Sequence, residues 1–441
     1  MTARNGMRSR AASASRERAA EVVAHVATRL ADPAEVAARC TGGEERLWQP
    51  LSLSDGHPGV ALLFAELAAH DPAFLRTAHR HLTAAARGTL PDGGLFNGVT
   101  ALAFAATASA AAHADHRAYG TLLQQLDERV VRYCLLLSDH ERERRTGSPG
   151  SGPTAWNVYD VVTGLSGVGR YLLLRGDSAA AGRAARALVS VCAPVQGVRG
   201  PVPGWWAGHS PGTDADAYPE GHLNLGLAHG APGILAFLAL AWRQGCRVDG
   251  QRQVMGTIVD WLLDRADSDN AGPYWTYAVA PSDDTPAGTS GTAGLPARTA
   301  WCYGSPGIAR ALWLAGHALG NPSWRQHGLA ALLTALERPA TDWGVHDASL
   351  CHGWAGLLQI VTLMARDCPD AGLEPAVDHL AAQALSAFDA ASPFGFRQYL
   401  PSGPVSRPGF LEGASGTALA LHGYARAAPP RTPWEAALLL N

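Results

Sequence analysis

The sequence predicts an all-α protein, an α/α toroid of seven inner and seven outer helices. Two observations carry this. A Gly-x-x-Gly turn leading into an apolar helix recurs along the chain, and a second kind of helix, with one apolar stripe and many charges, fits between successive turns. The turns are Asp55-Gly56-His57-Pro58-Gly59, Thr163-Gly164-Leu165-Ser166-Gly167, His229-Gly230-Ala231-Pro232-Gly233, Tyr303-Gly304-Ser305-Pro306-Gly307, His352-Gly353-Trp354-Ala355-Gly356 and Glu412-Gly413-Ala414-Ser415-Gly416. A degenerate member, Asn97-Gly98-Val99-Thr100-Ala101, makes seven. Their first glycines lie between 42 and 74 residues apart, room for one further helix and its loops.

Each element has a physical reason. A glycine in the first turn has no Cβ, so helices and loops can approach closely. Pro58, Pro232 and Pro306 fall where a missing N–H matters least. The segments that follow, such as Val60–Phe64, Ile234–Leu240, Ile308–Trp313 and Leu357–Val361, are apolar on most faces, as buried helices are. The outer helices are expected at Arg16–Ala31, Ala73–Arg87, Arg117–Leu137, Ser178–Ala193, Gln251–Asp264, Pro322–Glu337 and Glu374–Ala390. Leu123, Leu126, Val130, Val131 and Cys134 show the spacing of one such stripe. Inner-helix ends would then converge on a central opening.

Composition bounds the rest. A chain of 441 residues with 47% hydrophobic content can bury a large core, and the repeats favour one domain over residues 16–441. Residues 1–15 read as a disordered basic arm, since the first twenty hold five Arg against one Glu and no apolar region follows. The net charge of −3 and the lack of a basic stripe imply no nucleic-acid partner. No apolar run reaches the roughly 18 residues of a transmembrane segment. Seven cysteines without compact disulfide spacing indicate a reducing cytosol, so a cytoplasmic location is expected.

Four loops stand out. Residues 138–158 are polar and rich in Gly and Pro. Residues 194–228 carry Trp205, Trp206, Asp214, Asp216 and Tyr218. Residues 265–300 carry Trp275, Tyr277, Asp283 and Asp284, and residues 391–409 carry Phe394, Phe396 and Tyr399. Loops of this length are usually functional or disordered. Their aromatic residues would either grip a peptide or cap the protein's own core.

Two cysteines and a histidine share one local context. Cys302 and the pair Cys351-His352 each stand just before a glycine-led helix, so all three would fall at one end of equivalent helices. One reading is a zinc site, because thiolate and imidazole suit that ion. The other is two buried cysteines and a core histidine. Three ligands leave a fourth position open, as a catalytic zinc does. His229 opens an inner helix at the same repeat position as His352, where it can face the opening or merely satisfy a loop carbonyl. Asp160, four residues before Gly164, can orient His229 or cap a helix. Arg298, four before Cys302, can bind an anion, position Asp160 or form a surface ion pair. Tyr303 can hydrogen-bond in the site or pack. His57, Asn97 and Glu412 hold comparable positions without an assigned role, and His209 and His222 read as loop background.

Four motifs, in order, resemble the lanthionine synthetase C-like family, the stand-alone cyclases of lanthipeptide biosynthesis. They are Tyr159-Asp160-Val161-Val162-Thr163-Gly164-Leu165-Ser166-Gly167, Asn224-Leu225-Gly226-Leu227-Ala228-His229-Gly230-Ala231-Pro232-Gly233, Trp301-Cys302-Tyr303-Gly304 and Cys351-His352-Gly353. The repeats extend the resemblance from about Leu51 to Tyr424. It implies Michael addition of a peptide cysteine thiol to dehydroalanine or dehydrobutyrine, which forms (methyl)lanthionine thioether rings. It also implies one Zn²⁺ held by Cys302, Cys351 and His352, and His229 as proton donor, with Asp160, Arg298 and Tyr303 around it. A zinc ion deprotonates a coordinated thiol, and two protein thiolates already neutralise it, so a third sulfur stays reactive. The implied partners are a dehydrated precursor peptide, a lanthipeptide dehydratase and an exporter. Some family members instead bind glutathione, so a zinc thiol-binding protein without ring formation is the alternative. The stand-alone length and the Ala/Arg/Gly-rich composition look bacterial, which favours the cyclase. A hydrolase with paired carboxylates fits less well, because Asp160 lacks a partner in a matching motif.

Overall fold

The computed structural model describes residues 2–40, 47–115, 117–147, 152–197, 200–211, 218–281 and 295–441. Asp214, Asp216, Asp283 and Asp284 lie outside the described residues. Sixteen α-helices are found among them: α1 (Thr2–Leu30), α2 (Pro33–Cys40), α3 (His57–Ala68), α4 (Leu75–Ala85), α5 (Gly98–Ala111), α6 (Gly120–Thr146), α7 (Trp156–Tyr159), α8 (Leu165–Leu174), α9 (Ser178–Cys192), α10 (Ala231–Arg243), α11 (Gln251–Asp264), α12 (Ser305–Leu319), α13 (Pro322–Glu337), α14 (Trp354–Asp367), α15 (Glu374–Ser386) and α16 (Ala414–Arg426). Four short antiparallel strand pairs accompany them: Val195–Gly197 with Gly200–Val202, Leu223–Asn224 with Ala278–Val279, Asp267–Asp269 with Gly272–Tyr274, and Gln398–Leu400 with Gly403–Val405. No helix among the described residues is long and apolar enough to cross a membrane.

The sequence expects one domain, whereas the chain forms two compact units. The first holds residues 1–91, 97–124 and 345–434, and the second residues 92–96, 125–344 and 435–441. In the first unit the glycine-led helices α5, α3, α16 and α14 pack in that order, flanked by α4, α1 and α15. In the second, α8, α10 and α12 pack in order, flanked by α9, α11 and α13. All seven glycine-led helices are therefore present. They are buried nearly all round, as their composition predicts; every residue of α3 is buried.

A close approach inside each repeat explains the glycines. A Cβ built on the second glycine would meet the carbonyl oxygen six residues earlier. The distances are 2.0 Å from Leu53 at Gly59, 2.0 Å from Val161 at Gly167, 2.5 Å from Leu227 at Gly233, 2.5 Å from Trp301 at Gly307, 1.9 Å from Leu350 at Gly356 and 1.8 Å from Phe410 at Gly416. The loop before each helix thus curls onto the helix's own first turn. Gly304 adds a conformational demand: its φ is 89°, and a Cβ there would lie 2.0 Å from the Arg298 carbonyl oxygen.

Backbone hydrogen bonds then join successive loops. In the second unit Val161 N donates to Ala228 O (3.0 Å) and Ala228 N to Cys302 O (3.3 Å). In the first, Phe410 N donates to Leu53 O (3.0 Å) and Cys351 N to Leu411 O (2.8 Å).

Two segments expected to lack helix are helical. Residues 2–15, read as a disordered arm, belong to α1. Ala is the best helix former, and Ala19, Val22, Val23, Val26 and Leu30 give the helix a buried stripe to extend from. Residues 138–146, read as loop, continue α6, because buried Glu141 accepts from Arg144 (2.7 Å) and Arg145 (3.1 Å) on the next turn. The loop aromatics divide in two. Trp205, Trp275 and Phe394 are fully buried core, while Tyr277 and Tyr399 are exposed.

The glycine contact is testable by stability. Gly307→Ala forces a methyl group against the Trp301 carbonyl and should cost about 1–3 kcal/mol, the range of overpacking. Gly423→Ala, where nothing lies within 4 Å, should be neutral or stabilising by about 0.5–1 kcal/mol. Urea midpoints of the two variants measure the difference, and equal midpoints would refute the contact's role.

Candidate functional site

In the second unit the loops that open α8, α10 and α12 carry Asp160, His229, Cys302 and Tyr303. Asp160 is 1% exposed and follows the single turn of α7. Its Oδ1 accepts from Thr163 N (2.7 Å), Thr163 Oγ1 (3.0 Å) and Gly164 N (2.7 Å). Its Oδ2 lies 2.7 Å from His229 Nδ1. One oxygen thus accepts from the glycine turn while the other meets the histidine ring. A carboxylate oxygen accepts, so Nδ1 is the donor and Nε2 is the other ring edge. The Trp156 ring stacks on His229 at 4.8 Å and 25°, which fixes the ring from its face.

A polar string continues from Tyr303. Asn224 Nδ2 donates to the Tyr303 hydroxyl (3.2 Å), and the same amide lies 3.3 Å from His222 Nε2. His222 Nδ1 donates to His209 O at 2.5 Å. His222 is fully buried, and burial pushes its pKa down to about 4, so it is a neutral strut. His222 is thus more than loop background. The Tyr303 ring also packs over Gly226, where a Cβ would lie 2.6 Å away. Arg298 Nε donates to the Tyr277 hydroxyl (3.3 Å), and the Tyr277 ring sits 5.1 Å from that of Tyr303. Cys302 is 6% exposed.

In the first unit Cys351 and His352 precede α14, with the Cys351 Sγ and a ring nitrogen of His352 within 4.8 Å. His352 Nε2 faces Asp347 Oδ2 (3.9 Å) and Gln398 Nε2 (3.4 Å). Gln398 Oε1 accepts from Arg407 Nη1 (2.8 Å). Arg407 pairs with Glu412 and, at 2.9 Å, with Asp55. Asp347 is buried and its Oδ1 accepts from Ser349 N (2.8 Å). Thiol and imidazole in a part-buried loop fit a zinc ion by donor type.

The unassigned positions now have places. Glu412 holds Arg407. His57 packs under Trp48, with its Nδ1 3.1 Å from His81 Nδ1. Burial pushes His57 down to about 4 and His81 to about 3, so this pair is neutral core. Asn97 forms a backbone bridge with Ser52. Trp156, Asn224, Asp347 and Gln398 lie against the candidate residues without being among those that motif and spacing single out. A polar residue two before a zinc candidate's loop serine was the available signal for Asp347. Trp156 and Gln398 carry no local signal.

Residues 47–439 match the family model "Lanthionine synthetase C-like protein". The chain is 26% identical over 399 residues to the nisin biosynthesis protein NisC of Lactococcus lactis subsp. lactis, covering 88% of this chain and 89% of that one. The solved structure of nisin cyclase superposes with a TM-score of 0.70 at 23% identity, covering 88% of this chain and 92% of the other. That likeness shows the fold, an all-α α/α toroid, as the seven glycine-led helices predict. The chain belongs to the lanthionine synthetase C-like family.

Proposed function

We propose that this chain is a zinc-dependent lanthipeptide cyclase, adding peptide Cys thiols to dehydroalanine or dehydrobutyrine to form (methyl)lanthionine rings. The observation that carries the reading is the family match over residues 47–439, within which Cys302, Cys351 and His352 each head a glycine-led helix. Cys302, Cys351 and His352 would hold one zinc. When bound, the ion supplies a lowered thiol pKa, so that the nucleophile is a thiolate at neutral pH.

The chain's own residues would do the rest. The thiol gives up its proton, sulfur bonds to the β-carbon, and the electron pair moves to an enolate. His229 protonates the α-carbon through Nε2, because Nδ1 is committed to Asp160. Asp160 stabilises the imidazolium before transfer, and Trp156 keeps the ring in plane. Arg298 faces the enolate oxygen, and Tyr303, held by Asn224, borders it. One proton leaves and one arrives, so mass is unchanged. The substrate is a dehydrated precursor peptide made ribosomally in the cytosol, with a dehydratase and an exporter as further partners.

Three outcomes test this. Cys302→Ala or Cys351→Ala should lower zinc content by one equivalent in elemental analysis while the helical circular dichroism spectrum persists. His229→Ala should keep that zinc yet slow ring closure by about 10²–10⁴-fold, the range for general acid catalysis. Arg298→Ala should slow it by about 10²–10³-fold, as for loss of one oxyanion donor. The readout is loss of alkylatable thiol in the dehydrated peptide. Wild-type enzyme that binds zinc but leaves every thiol alkylatable would point instead to a thiol-binding protein.

A further inference from the structure

We infer a second metal site, built from Glu66, His70 and His422 in the first unit, that takes a divalent first-row transition ion of the zinc class. A carboxylate oxygen of Glu66 and one ring nitrogen from each histidine all lie within 4.8 Å of one another. Ligand atoms around a tetrahedral zinc, at about 2.0–2.2 Å from the ion, are about 3.3–3.6 Å apart. Glu66 Oε1 and His70 Nε2 already meet that spacing at 3.6 Å. Two imidazoles and one carboxylate are a donor set that zinc accepts.

The carboxylate is fixed and has capacity left. Glu66 is 1% exposed. Its Oε1 accepts from Arg431 N (2.9 Å), and its Oε2 accepts from Thr432 N (2.8 Å) and Thr432 Oγ1 (2.6 Å). An ionised carboxylate has about four acceptor positions. Three are used, and the fourth belongs to Oε1, the atom nearest His70.

His422 supplies the independent observation. Its Nε2 is buried and has no hydrogen-bond partner among the described residues. Most buried polar side-chain atoms do have a partner.

The backbone contributes as well. Glu66 lies in the last turn of α3, His70 just beyond it, and His422 near the end of α16. Helix C-termini carry partial negative charge, which favours a cation. The charges of Arg426 and Arg431 act against it. Both residues are exposed, where salt screens them, and the Arg431 guanidinium is occupied by Ala69 O at 2.8 Å. A bound ion would tie α3 to α16 and, through Glu66, to residues 431–432. It would stabilise the first unit and take no part in ring closure.

The test uses the full chain, stripped with chelator and titrated with Zn²⁺ or Co²⁺. Wild type should bind two ions. His422→Ala should bind one, with the sulfur-to-cobalt charge-transfer band intact and affinity at the second site reduced at least about 100-fold. In a Cys302→Ala/Cys351→Ala background one ion should remain, with cobalt d–d bands but no charge-transfer band, and zinc should still raise the melting temperature. A metal count or melting shift unchanged by His422→Ala would overturn the inference, as would a folded double-cysteine variant that binds neither ion. Loss of the sulfur-linked ion alone would bear only on the cyclase reading.

Discussion

The contact between the second glycine of six of the turns and the carbonyl six residues earlier is the constraint that places the candidate residues of each unit. The contacting carbonyls belong to Val161, Leu227, Trp301 and Leu350. Their near neighbours in sequence are Asp160, His229, Cys302 and Cys351. The chain thus places its polar candidates within two residues of the most sterically determined atoms in each repeat. A loop packed this way has little freedom, so side chains upon it are positioned by backbone rather than by long flexible stems. This is the arrangement that precise chemistry requires.

Electrostatics then divides the histidines by role. His57, His81 and His222 are buried and held neutral, with pKa values pushed to about 4, 3 and 4. They work as packing and hydrogen-bonding elements. His229 differs because its partner is a buried carboxylate and its ring is partly exposed, at 28%. The other oxygen of Asp160 is committed to the Thr163 and Gly164 backbone, so the pair cannot drift without unwinding the start of α8.

Much of the fold was legible in the sequence because its punctuation is physical. Gln251–Asp264 and Pro322–Glu337 were read to the residue: Pro322 begins α13, and the Asn321 side chain caps Trp324 N (3.2 Å). The end of α6 was not legible, since Arg145 is held by carbonyls of Ser190 and Val191 far along the chain. The start of α1 was missed because its basic composition suggested a tail. Among the candidates, His229, Tyr303 and His352 stand one residue before the first glycine of a turn, Cys302 and Cys351 two before it and Asp160 four before it, so the repeat makes them legible. Trp156, His222 and Gln398 act through contacts between loops, which no local pattern records.

The most direct test of the central claim is where the new proton comes from. Ring closure by the wild-type protein in D₂O, on its own dehydrated peptide, should place one deuterium at each new α-carbon with a single configuration, since one fixed group delivers it. Hydrolysis of the rings followed by chiral analysis with mass detection reads both quantities. A mixture of configurations at the α-carbon would show protonation from bulk water and contradict the role given to His229.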